Sequence, residues 1–291
     1  MNRTLRGHIL ALFTVVVWGT TFIVSKVLLR TFTPTEIILF RFSLGYLALW
    51  LAAPRAMKVR QRKHELYFAA AGLFGITLYF MGESLALKYT QASNVGVIIA
   101  TVPFFTALVN RVIFNDERLT GRFYAGFAVA MVGVVLITFG GASGFAVNPV
   151  GDLLAVVAAI MWAFYSAALK KLGESYPVLE STRRMFFYGL LFLIPVVLFL
   201  RPEFHFDALA LPQHWGGFVY LGLVPSAMCY VTWNTAQRFI GTTSTSNYIY
   251  LDPVVTVVAS VLLLNENITL WSAAGTVLAL LGLVISQNRS K

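Results

Sequence analysis

The chain matches itself when slid along by roughly 150 residues, and such an internal repeat decides the fold before any local pattern does. At an offset of 144, Trp18 falls on Trp162 and Lys26 on Lys170. At 143, Pro34 falls on Pro177 and Arg41 on Arg184. At 150, Gly72 meets Gly222, Lys88 meets Arg238 and Pro103 meets Pro253. At 149, Glu117 meets Glu266, Gly126 meets Gly275 and Gly133 meets Gly282. The small drift is what a few loop insertions produce. Two copies of one unit follow, over residues 8–140 and 152–288.

The solvent decides what each copy becomes. Of 291 residues, 58% are hydrophobic and 12% charged. A soluble domain carries about 25% charged residues, so this chain cannot solvate a globular surface. A helix that crosses a bilayer needs about 20 predominantly apolar residues. Stretches of that kind lie near 8–29, 34–53, 66–87, 92–114, 121–140, 152–171, 183–200, 215–237, 243–264 and 270–288. The expected fold is all-α integral membrane, with ten transmembrane helices. The first stretch follows Arg3 and Arg6 like a signal peptide, but it is too long and lacks a cleavage site, so it is expected to be retained.

Lys and Arg fall mainly in the loops of one side, including Arg55, Lys58, Arg60, Arg62, Lys63, Lys170, Lys171, Arg183, Arg184 and Arg238. The positive-inside rule then puts both termini in the cytoplasm. It also accounts for the net charge of +10 without nucleic acid, and it favours anionic lipid at that face. Five stretches per copy is an odd number, so the second copy enters the membrane the other way up. Two inverted five-helix repeats are the architecture of many secondary transporters, with the ligand site between the halves near the midplane.

Other chemistries lack their residues. The one cysteine, Cys229, and four peripheral histidines form no metal-binding spacing. No phosphate-binding loop is present, and no His, Asp or Cys constellation suits an embedded enzyme. No cofactor and no metal are expected, and no oligomer is required.

The ordered set of motifs resembles the drug/metabolite transporter superfamily in its ten-helix EamA branch. It is carried by Trp18-Gly19, by Pro34-Thr35-Glu36 leading to Arg41, and by Ala92-Ser93-Asn94 before Pro103. Glu117 through Gly121, then Gly126 and Gly133, complete the first copy. The second copy offers Thr242-Thr243-Ser244, Pro253, Glu266 through Thr269, Gly275 and Gly282. The resemblance covers residues 8–288 and, with the aromatic content, extends to exporters of aromatic and neutral amino acids. It implies alternating-access export of small amphipathic metabolites from a bacterial inner membrane. The alternative is export of drugs or quaternary ammonium compounds, with a passive channel further behind.

Polar groups inside such stretches are costly, so they mark where ligand or partner is to be sought. Glu83 stands four residues after Tyr79, on one helix face, with Asn94 beyond it. Glu83 either binds a substrate amine or forms a structural ion pair with Arg41. Tyr230, Trp233, Asn234 and Gln237 share a second face, and Asn247 and Tyr250 a third. Trp18 and Trp162 lie mid-stretch, which suits a shared cavity wall as well as packing. Pro103 and Pro253 bend equivalent helices and serve as hinge candidates, with Asp252 capping or pairing beside the second. Lys26, Lys88 and Lys170 are expected to snorkel. Gly275 and Ala279, four apart, are expected to mark helix packing.

Overall fold

A computed structural model describes residues 2–115, 119–139, 149–173, 175–209, 211–241, 245 and 247–286. Among these, every regular element is a helix. The helices are α1 (Arg3–Leu28), α2 (Pro34–Ala52), α3 (Arg62–Tyr89), α4 (Ala92–Phe114) and α5 (Gly121–Phe139). Then come α6 (Pro149–Leu172), α7 (Val178–Leu200), α8 (212–240), α9 (Asp252–Leu264) and α10 (Leu270–Ser286). A single turn at Phe206–Leu209 precedes α8, and a 3-10 turn at Asn247–Leu251 precedes α9. Six helices, α1 to α4, α6 and α7, are long and apolar enough to cross a membrane. Large apolar side chains face outward, including Leu270 at 89%, Phe199 at 86% and Val112 at 84% exposure. An outer surface of that kind requires an apolar surrounding.

Helix ends follow local chemistry. Thr33 and Glu36 form a capping box at the start of α2, with Pro34 at the first helical position. Asn115 closes α4 at φ 55° and Asn265 closes α9 at φ 54°, both left-handed. These two asparagines are 150 apart, so the copies end this helix in the same way.

Packing repeats the sequence symmetry. α1 packs on the second half of α8 (Cys229–Ile240), as α6 packs on the second half of α3 (Tyr79–Tyr89). α1 also packs on α9, as α6 packs on the later part of α4. α2 meets α7, and α5 meets α10. In that last pair, a Cβ on Gly133 would lie 2.5 Å from the Gly275 carbonyl oxygen. A Cβ on Gly282 would lie 2.5 Å from the Gly126 carbonyl oxygen. Backbones this close tolerate only glycine, so Gly275 and Ala279 do mark helix packing.

Two features depart from a plain helical reading. α3 widens to a π turn at Leu73–Leu78, and α8 does so at Gly222–Met228, the equivalent place. π turns leave carbonyls outside the normal ladder and concentrate at functional sites. In addition, α4 is broken at Ala100 and Thr101, and Pro103 lies in the first turn of the resumed helix Val102–Phe114. Pro253 likewise lies in the first turn of α9. The expected points of bending take the form of breaks: the helix is interrupted just before Pro103, and a 3-10 turn runs into Asp252-Pro253. A proline in a first turn gives up no helical hydrogen bond, so both prolines start half-helices.

Candidate functional site

The two halves meet on an aromatic cluster. Trp18 of α1 and Trp162 of α6 pack edge-on at 5.5 Å between ring centroids and 85° between planes. Tyr79 lies 4.9 Å from Trp162, and Trp233 lies 5.0 Å from Trp18. Tyr230 approaches both tryptophans at 5.9 Å. The paired tryptophans of the self-match are therefore physical neighbours.

The π turns hold this cluster in place. Trp18 Nε1 donates to the Pro225 carbonyl at 3.0 Å, and the Tyr230 hydroxyl donates to the Gly75 carbonyl at 3.1 Å. Residues 75 and 225 are equivalent under the 150-residue offset. Each half thus offers the carbonyl of its own π turn to an aromatic donor of the other half. A buried indole or phenol needs such a partner.

Beside the cluster is a cavity lined by Trp18, Thr21, Arg41, Tyr79, Glu83, Trp162, Tyr230 and Asp252, with apolar walls from Phe22, Phe80, Ile99 and Ile249. Its volume for water-sized centres is about 40 Å³, so the walls are drawn together. A single water needs only about 10–15 Å³ on that measure, so a few waters fit and a larger ligand requires the helices to move. Glu83 Oε1 and Asp252 Oδ1 are buried with no hydrogen-bond partner. Buried polar atoms are nearly always partnered, so two orphaned carboxylate oxygens in one cavity point to a ligand or a proton.

Arg41 does not close the expected ion pair with Glu83. Its Nε donates to Ser226 Oγ at 3.1 Å, and its guanidinium lies over Phe80 at 4.4 Å and Phe42 at 5.2 Å. Ser226 belongs to the second π turn, so Arg41 ties α2 to that turn. Arg41 and Glu83 still face one another's field across the shared cavity.

Of the residues picked from sequence, Trp18, Tyr79, Glu83, Trp162 and Tyr230 line this cavity. Trp233 packs behind Trp18, with its indole nitrogen unpartnered. Asn234 opens instead on a second chamber with Ser166, Lys170, Ser181, Gln237 and Arg238. Asn94 is not brought to the cavity: it bonds to Thr90 Oγ1 at 3.3 Å, near its own helix start. Asn247 and Tyr250 belong to the turn before α9, and their side chains lie outside the described residues. So do Glu117 and Thr242 to Ser244. Asp252 was placed as a capping or pairing residue by its position before a proline. Its carboxylate in the cavity is decided by where α9 begins.

Hydrogen bonds tie together the end of the bundle near Thr90. Lys26 Nζ donates to the Thr90 carbonyl, so this lysine does not snorkel as expected. Glu266, in the α9–α10 loop, accepts from Ala92 N at 2.9 Å, Ser93 N at 3.2 Å and Ser93 Oγ at 2.8 Å. Gln91 supplies no side-chain cap to α4, so a carboxylate from the other half of the chain caps it instead.

Comparison with known proteins agrees with this architecture. The profile of the EamA-like transporter family matches twice, at residues 5–139 and 149–287. An uncharacterized transporter of Archaeoglobus fulgidus is 29% identical over 285 residues, covering 97% of each chain. A probable terminal-alkyne amino-acid exporter of Streptantibioticus cattleyicolor is 29% identical, covering 95% of this chain and 92% of that one. A probable amino-acid metabolite efflux pump of Escherichia coli K12 is 28% identical, covering 97% and 94%. A solved crystal structure, 20% identical, superposes with a TM-score of 0.68 over 96% of this chain and 97% of its own, which shows a shared fold.

Proposed function

Because the chain belongs to the EamA-like transporter family and is a multi-pass membrane protein, we propose that it is a secondary transporter exporting aromatic and other neutral amino acids. It works by alternating access, with ten crossings arranged as two inverted five-helix repeats over 8–140 and 152–288. Both termini are cytoplasmic, in a bacterial inner membrane, with a small-molecule substrate and membrane lipid as partners and no oligomer required. The observation that carries this reading is the cavity where the halves meet. Its Trp18 and Trp162 wall suits a ring, and the unpartnered oxygens of Glu83 and Asp252 suit an amine. Arg41 in the same wall suits a carboxylate. The names of the Streptantibioticus and Escherichia relatives support the amino-acid class. The half-helices that begin at Val102 and Asp252 border the cavity, so Pro103 and Pro253 serve as the pivots of the exchange.

A second reading has its own observation. Among the described residues, two acids and one guanidinium line the cavity, and electron-rich ring faces attract cations. Export of quaternary ammonium compounds fits that imbalance. Counterflow of labelled phenylalanine in proteoliposomes, competed by neutral amino acids and by quaternary amines, decides between the two. Competition by amino acids alone supports the first reading. Competition by quaternary amines alone sinks it.

A further inference from the structure

α3 and α7 are clamped together at the π turn of α3 and part beyond it. At the clamp, Thr77 Oγ1 donates to the Gly189 carbonyl at 2.9 Å, and a Cβ on Gly189 would lie 2.5 Å from Ile76 Cβ. Small residues let two helices approach this closely. Beyond Tyr79, α3 packs on α6 instead. A groove opens in the gap, lined by Met81 and Leu85 of α3, Pro195, Phe199 and Leu200 of α7, and Pro34 of α2. Pro195 stands inside α7 and offers no N–H to the Leu191 carbonyl, a common cause of helix bending.

The groove is large and apolar. About 620 Å³ is open to water-sized centres, against about 40 Å³ in the central cavity. Ordered water needs about 2–4 polar partners. The polar lining is Thr33 and Thr35, and the Thr33 side chain is already spent on the cap with Glu36. Phe199 is 86% exposed, so the groove opens sideways into whatever surrounds the bundle. In a membrane the surroundings are acyl chains, and the lining loses dispersion contacts unless a chain fills the gap.

Cations stand at its outer end. Arg201 closes α7 and falls between the lining residues Leu200 and Pro202. Lys88 is one turn past Leu85 on the same face of α3. Both are exposed, and among the described residues neither side chain has an ion pair or a hydrogen bond. Glu203, two residues after Arg201, does not pair with it.

We propose that this groove is a lipid site: one acyl chain of an anionic glycerophospholipid lies between α3 and α7, with its phosphate at Arg201 and Lys88. The site requires only that the protein spans a membrane and is independent of what it transports. Glu83 lies between Met81 and Leu85 in sequence and lines the central cavity, so the bound chain braces the stretch of helix that carries it.

Cys229 is buried and Leu198, next to the groove residue Phe199, is exposed, so full-length Leu198→Cys takes a fluorophore where a bound lipid can quench it. The protein is placed in phosphatidylcholine bilayers containing brominated phosphatidylglycerol of the same chain length. Two cations should favour phosphatidylglycerol about tenfold here, so quenching should reach half its maximum at about 10 mol %. Arg201→Gln with Lys88→Gln should move that midpoint to about 50 mol %, while Lys58→Gln with Lys63→Gln, at the other end of α3, should not. Leu85→Trp fills the groove, and native mass spectrometry should then find one tightly held phosphatidylglycerol fewer than in the unaltered protein. A midpoint of about 50 mol % in the unaltered groove means annular lipid only and overturns the proposal. So does selection that survives the loss of both cations, or lipid retention unchanged by Leu85→Trp. The cation variants alter exposed side chains alone, so they test the site even where Leu85→Trp does not fold.

Discussion

Replacing Glu266 with Ala should release the end of the bundle near Thr90. The carboxylate accepts three hydrogen bonds from Ala92 and Ser93, two of them from backbone donors at the start of α4. A hydrogen bond to a charged group contributes about 1.5–3 kcal/mol net where water is excluded. Glu266 is only half-buried, and released donors can turn to water, so the three together are discounted to about 2 kcal/mol. At 1.36 kcal/mol per decade, that shifts the balance between closed and open forms of this end about 30-fold. Asn94→Cys provides the readout, since Asn94 sits in the first turn of α4 just behind the latch. Labelling of that thiol by a membrane-impermeant reagent should accelerate 10- to 50-fold in the Glu266→Ala background. Glu266→Gln, which keeps one carbonyl acceptor, should fall between. Labelling unchanged within about twofold, in a protein of unaltered thermal stability, would refute the idea that these bonds hold the end closed.

Other perturbations test separate parts of the structure. Glu83→Gln trades a charged acceptor for a neutral one and should raise the half-saturating concentration of amine-bearing substrates about tenfold. Normal transport by a less stable protein would leave Glu83 only a structural role. Gly133→Leu drives a side chain into the α10 backbone and should cost about 1–3 kcal/mol, read as a lower unfolding temperature in detergent. An unshifted unfolding temperature would refute the idea that this α5–α10 contact requires glycine. Arg184 holds Glu65 through Nε and Nη2 at 2.7–3.1 Å, with both side chains about 30% exposed. Arg184→Lys cannot form that fork and should destabilise by about 1 kcal/mol or less, a loss that 0.5 M salt does not rescue.

The sequence carried the symmetry further than it carried the site. An offset of 150 was legible because equivalent structural positions keep equivalent residues, and the copies do share π turns, left-handed caps at Asn115 and Asn265, and glycine contacts at Gly133 and Gly282. The pairing of Trp18 with Trp162 was visible as a repeat but not as a contact. Local residues can propose a polar face, as for Tyr79 and Glu83, because helical spacing is itself local. They could not tell that Asn94 turns back to Thr90, or that Arg41 is taken by Ser226, 185 residues away.

What the sequence alone determined is the solvent and the duplication: too few charges for a water-facing surface, and one apolar unit written twice. Those are sums over many residues, and they survive ignorance of any single contact. Tertiary structure decided which carboxylate oxygens lack partners, which chamber each polar face meets, and which end is latched. An orphaned oxygen on Glu83 or Asp252 is defined by what every neighbouring helix fails to offer it. The latch joins a loop residue of the second copy to a helix start of the first. Such facts belong to the packing of the two copies against each other, and no stretch of either copy contains them.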